Sequence, residues 1–152
     1  MATVRVDELD FDVGAEMAAL MEGRSDVGGI GCFVGVVRGT DGLQAMTLEH
    51  YPGMTEQSLA AIAGEAERRW ALLGCTVVHR VGRLAPGERI VLVLAAAAHR
   101  QAALDATAFL IDWLKTRAPF WKQESLADGT HRWVDARATD DEAAARWGDL
   151  SR

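Results

Sequence analysis

The spacing of hydrophobic positions changes along this chain, and each change marks an element. Val4 and Val6 alternate with polar neighbours, the two-residue period of a short strand. Asp12 then stands where a helix N-cap belongs, and a helix is predicted from there to about Met21. Residues 30–37 are apolar on both parities, which predicts a strand buried on two faces. "GTDG" breaks the run as a turn, and "LQAMTLEHY" resumes as a strand with Met46, Leu48 and His50 on one side.

The period lengthens to that of a helix in "YPGMTEQSLAAIAGEAERRWALLG". Thr55 is the expected N-cap, Met54 and Leu59 a staple, and Gly74 the stop. Leu59, Ile62, Ala66, Trp70 and Leu73 make its apolar face, and Glu56, Arg68 and Arg69 suit the helix dipole. "CTVVHRVGRL" and "RIVLVLAAAA" read as strands joined in a hairpin by "APGE". A second long helix is expected over 100–117. Pro119 stops it, because its ring would clash with the carbonyl of Lys115, and Ala118 is pushed to extended geometry. "PFWKQES" and "HRWVDAR" form a second hairpin across "LADGT", and "TDDEAAARW" a last helix capped by Thr139 or Asp140. Hairpins interspersed with helices predict an α+β fold with a largely antiparallel sheet.

The bulk numbers narrow the function. A chain of 152 residues suits one domain spanning 1–152. Its net charge of −6 argues against nucleic acid or an anionic membrane as partner. "IVLVLAAAA" is too short to cross a bilayer, "MATVRVDELD" lacks the apolar core of a signal peptide, and a cytoplasmic protein is expected. Cys32 and Cys75 both lie in apolar strands and are expected to be buried, reduced thiols. Metal-ligand spacings are missing, so neither a metal site nor a cofactor is expected.

Against this acidic background, "LKTRAPFWKQE" gathers Lys115, Arg117 and Lys122 around Phe120 and Trp121. Two readings stand. Either the lysine stems snorkel and Lys115 complements a helix C-terminus, or the lysines sit beside one another in an apolar pocket as reactive groups. His99 and Arg100 open the preceding helix, where free backbone N–H groups and a guanidinium suit a phosphate; the alternative is that Arg100 pairs with Asp105. Arg38 ends the glycine-rich strand and Arg137 follows the last one. His79, inside "TVVHRVG", reads as structural. These residues alone leave open a partner-independent lyase or hydrolase of a small phosphate ester, and a docking module for a protein tail.

The segments "CFVGVVRG", "AMTLEHYPGMTE", "HRVGRLAPGE", "AHR", "LKTRAPFWKQE" and "RWVDAR" together resemble the large, catalytic subunit of molybdopterin synthase, the MoaE family, over roughly residues 3–147. The resemblance implies an α/β hammerhead with an additional antiparallel β-containing subdomain. It implies an enzyme that converts cyclic pyranopterin monophosphate into molybdopterin. Sulfur would arrive on the thiocarboxylated Gly-Gly terminus of a small ubiquitin-like subunit, and two large subunits would form a central homodimer. By the same resemblance Lys115 and Lys122 match the catalytic lysines. Phe33, Arg38, His99, Arg100, Ile111 and Arg137 match substrate-binding positions. The chain departs from the family at the short "GTDGLQ" loop and at Ala97, where serine is common. It ends "GDLSR", without Gly-Gly, so sulfur is expected to come in trans.

Overall fold

A computed structural model describes residues 2–134 and 138–148, the first three of the latter by backbone alone. The elements are β1 (Ala2–Asp7), α1 (Val13–Met21), β2 (Gly29–Val36), β3 (Leu43–His50), α2 (Met54–Trp70), β4 (Gly74–Arg80), β5 (Gly82–Leu84), β6 (Arg89–Ala97), α3 (Arg100–Arg117), β7 (Phe120–Leu126), β8 (His131–Val134) and α4 (Ala138–Ala145). The fold is α+β. One sheet has the order β1-β4-β6-β2 and the other β5-β3-β7-β8. β1 and β4 run parallel; the remaining pairs are antiparallel. The second sheet is the additional antiparallel subdomain that the resemblance implied.

The first sheet is covered on both faces. Alternation along β4 and β6 sends Cys75, Val77, Val91, Val93 and Ala95 to one side, where α2 and α3 bring Leu59, Ile62, Phe109 and Trp113. Val78, Leu92 and Leu94 point the other way and pack with Phe11 and the Met17 and Leu20 side chains of α1. A smaller cluster of Val37, Leu48 and Leu84, with Ile90 against it, joins the two sheets.

Several elements fall where the pattern placed them. The Asp12 side chain caps α1 by accepting from the Ala15 N–H at 2.9 Å. α3 runs over Arg100–Arg117, and Ala118 is extended, with φ −81° and ψ 133°. Other expectations need correction. The N-cap of α2 is Gly53 and not Thr55, and its N–H donates to the Glu56 carboxylate at 3.3 Å. Thr55 is buried at the second helical position, and Met54 is too exposed to staple anything. α2 ends at Ala71, in left-handed geometry, three residues before Gly74. α4 begins at Ala138, so neither Thr139 nor Asp140 caps it.

"CTVVHRVGRL" is two strands. β4 pairs with β6 as the hairpin required, but the chain turns at Gly82, with φ +87°, and β5 joins β3 in the other sheet. Such a φ is open to glycine at little steric cost. β2 is an edge strand and is not buried on two faces. α3 presses hardest on it at Gly31, whose missing Cβ would lie 2.1 Å from Thr107 Oγ1 and 2.4 Å from the Ala103 carbonyl oxygen. Phe33 and Val36 are left 37% and 50% exposed. Cys32 is therefore exposed, contrary to expectation, while Cys75 is buried and its thiol pushed up to about 12, chiefly by burial.

Candidate active site

Where α3 diverges from β2, a cavity of about 230 Å³ opens at the junction of the two sheets. β2 supplies Phe33 and Val36, α3 supplies Ile111 and Lys115, β4 supplies His79, and β7 supplies Phe120 and Lys122. A wider hollow of about 690 Å³ shares Lys115, Phe120 and Lys122 with it and adds Arg38, Glu124 and Arg132.

The lysines meet because of the helix stop. Lys115 lies in the last turn of α3, and only Ala118 and Pro119 separate the helix from β7. The chain turns from helix to strand in that short space, so two lysines seven residues apart border one hollow. Thr55 Oγ1 donates to the Pro119 carbonyl at 3.3 Å, tying the turn to the start of α2. Lys122 is held in register on both sides, opposite Leu48 of β3 and Val134 of β8. It is half-buried, whereas Lys115 is exposed. The third cation takes no part: Arg117 lies over the Trp113 ring, 4.5 Å from its centroid.

Phe33, Ile111, Lys115 and Lys122 thus line one cavity, and Arg38 lines the hollow beside it. His99 and Arg100 do not join them. They stand at the other end of α3, and fifteen residues of helix place Arg100 about 22 Å from Lys115. Arg100 does not pair with Asp105, which accepts from Gln101 at 3.0 Å instead. Arg137 lies outside the described residues. Among the described residues no group of His, Cys, Asp and Glu is placed to hold a metal ion.

Phe120, one of the two aromatics that the lysine segment offers as an apolar wall, lines the cavity, and so does His79, which reads as structural in the sequence. The available signal was parity: His79 continues the row Cys75, Val77 on the helix-covered face of β4, at the strand's end. Its ring stacks on Phe120, with centroids 3.8 Å apart and planes 19° from parallel. Its Nδ1 lies 2.8 Å from the Arg80 carbonyl oxygen. A carbonyl can only accept, so Nδ1 carries the proton and Nε2 keeps its lone pair. Burial pushes this imidazole down to about 3, and the Lys122 and Lys115 charges act the same way against the Arg80 hydrogen bond. The arrangement combines an apolar and aromatic wall for a flat ring, cations for an anion, and a neutral hydrogen-bond acceptor.

A family model described as MoaE protein matches residues 6–117. The molybdopterin synthase catalytic subunit of Mesorhizobium japonicum is 56% identical over 147 residues, 95% of this chain and 92% of that protein. A solved structure of a molybdopterin biosynthesis MoaE protein from Burkholderia ambifaria is 54% identical, with a TM-score of 0.85 over 98% of this chain and 99% of that one. The crystal structure of molybdopterin synthase from Staphylococcus aureus is 26% identical, with a TM-score of 0.79 over 86% of this chain and 95% of that one.

Proposed function

The chain belongs to the MoaE family, and from that premise we propose that it works as the catalytic subunit of molybdopterin synthase, a sulfurtransferase, with 1–152 acting as one unit. The observation that carries this reading is the convergence of Lys115 and Lys122 on a cavity walled by Phe33, Ile111 and Phe120. The substrate is cyclic pyranopterin monophosphate. Its flat pterin suits the apolar and aromatic wall, and its phosphate suits the cationic side toward Arg38. Lys115 handles proton transfer or a transient covalent step as the thiocarboxylate sulfur attacks the pterin side chain; water then cleaves the acyl–sulfur bond, leaving the sulfur on the pterin and a carboxylate on the carrier. Lys122 and the arginines, Arg137 among them, hold phosphate and developing negative charge.

Sulfur comes on the thiocarboxylated Gly-Gly terminus of a small ubiquitin-like partner. Among the described residues the outer edge of β2 pairs with no strand, and β2 borders the cavity. An extended tail can add there by backbone hydrogen bonds and end beside the lysines. The functional unit is a homodimer carrying two such partners. The 22 Å reach of α3 supports this, at about 1.5 Å per helical residue: it holds His99 and Arg100 away from a substrate at Lys115 of the same chain, which favours their coming from a second copy. Among the described residues no helix is long and apolar enough to cross a membrane, which is in keeping with work in the cytoplasm.

The test is a single-turnover reaction of this chain, a thiocarboxylated partner and cyclic pyranopterin monophosphate, with the dithiolene product detected by fluorescence after oxidation. Product that requires both proteins is expected. Partner binding without product would overturn the catalytic reading in favour of a docking protein. Neither binding nor product would return the chain to the partner-independent phosphate enzymes.

A further inference from the structure

His79 has no part in the proposed mechanism so far, yet it sits in the cavity wall between groups that do. Charged or titratable groups on three elements act on it electrostatically, Lys115 on α3, Lys122 on β7 and His50 on β3, and the two lysines line the same cavity. Its ring is fixed on two counts, by the Phe120 stack and by the Arg80 carbonyl. A residue serving only to fill space at the end of a row of Cys75 and Val77 needs no nitrogen there. This one has its Nδ1 proton committed to the backbone, which leaves Nε2 as an acceptor at a wall bearing two ammonium groups.

We propose that His79 is a positioning residue: its Nε2 accepts a hydrogen bond from a lysine ammonium in the cavity and so aims that side chain at the substrate. The residue is suited to this because it stays uncharged. Burial first, and then the neighbouring cations, hold the imidazole far below neutral pH, so it does not become a third positive charge beside the lysines. A carboxylate at the same place would neutralise the lysine and compete with the anionic substrate. A neutral acceptor orients it without spending its charge. The role rests on the synthase reading above.

The experiment compares wild type, His79→Phe and His79→Gln in the single-turnover assay, with partner affinity measured alongside. Phenylalanine keeps the stack on Phe120 and removes the acceptor. Glutamine gives up the stack but can offer a carbonyl oxygen at the reach of Nε2. The proposal expects His79→Phe to lose roughly ten- to a hundredfold in rate, the range for one hydrogen bond to a charged group, at unchanged partner affinity. It expects His79→Gln to retain more of the rate. The limb of the pH–rate profile that reports lysine ionisation should move to lower pH in His79→Phe, because the ammonium has lost an acceptor that favoured it. Wild-type rate in His79→Phe, or losses ordered the other way with an unshifted profile, would show a packing role and overturn the proposal. Should His79→Phe not fold, imidazole ¹⁵N shifts of the wild type decide: a proton on Nδ1 across pH 5–8 supports the proposal, and one on Nε2 overturns it. Failure of wild type to make product overturns the synthase reading, an outcome distinct from a difference between variants.

Discussion

Lys115 is exposed at a helix end and Lys122 is half-buried in mid-sheet, so the two were never equivalent, although the sequence presents them as a pair. Replacing Lys115 with alanine removes a side chain from solvent, and the fold should lose less than about 1 kcal/mol, mostly helix-dipole interaction. Turnover should fall by ~10²-fold or more, since proton transfer goes with it. Thermal melting and single-turnover rates on one preparation check both halves, and near-normal turnover would refute the assigned role. His79 makes a separate prediction. Its pKa is about 3 folded against 6.5 unfolded, so the unfolded chain binds the extra proton between those values. The contribution of this group is complete above pH 6.5 and is lost as pH falls toward 3, at up to ~1.4 kcal/mol per pH unit. On acidification wild type should therefore lose stability relative to His79→Phe, which denaturant titrations of the two check. The lysines drew notice because cations beside aromatics are unusual in an acidic chain, but the residues alone left snorkelling open, and their catalytic assignment came from the resemblance. His79 did not, because one imidazole in an apolar strand looks the same whether it faces core or cavity.

Elements were most legible where a single residue decides the backbone. Pro119 ended α3 on schedule, and Asp12 capped α1. Legibility failed where long-range geometry decides. Thr55 is a good N-cap by type, but its hydroxyl is engaged by the Pro119 carbonyl 64 positions away, and Gly53 takes the cap. The apolar run of β2 looked doubly buried because apolar character does not distinguish a core from a cavity wall or an open edge. Its glycines carry the better clue. Gly31 lets α3 come down on the strand, and Gly31→Ala would drive a methyl into Thr107 and the Ala103 carbonyl. That substitution should cost ~1–3 kcal/mol by overpacking. It should also slow turnover, because the helix that must move carries Ile111 and Lys115. Denaturant midpoints and rates would test this; a neutral Gly31→Ala would mean that α3 is not seated there.

At the scale of the whole molecule, the proposed dimer makes the sharpest prediction. Lys115→Ala and Arg100→Ala are each expected to be inactive alone. If a site takes its lysine from one copy and its Arg100 from the other, a mixed dimer has one intact site and one doubly altered one. Co-refolded mixtures should then recover about a quarter of wild-type activity by random pairing. If both residues serve from the same chain, no mixture contains a complete site and activity stays absent. No sequence pattern discloses this, because residues 99 and 115 are close in the chain and their separation appears only once the helix between them is straight. The crossings between sheets have a mechanical consequence of their own. The shortest are Val81, between β4 and β5, and Ala118 with Pro119, between α3 and β7; residues 37–42 and 85–88 make longer crossings. The two short ones are a residue or two long; Ala118 lines the cavity, and Val81 follows two residues after His79, which lines it too. Tethers that short limit how far the sheets can part at those two points. A socket so tethered is expected to keep its bore, and so to admit or refuse a molecule by shape on arrival.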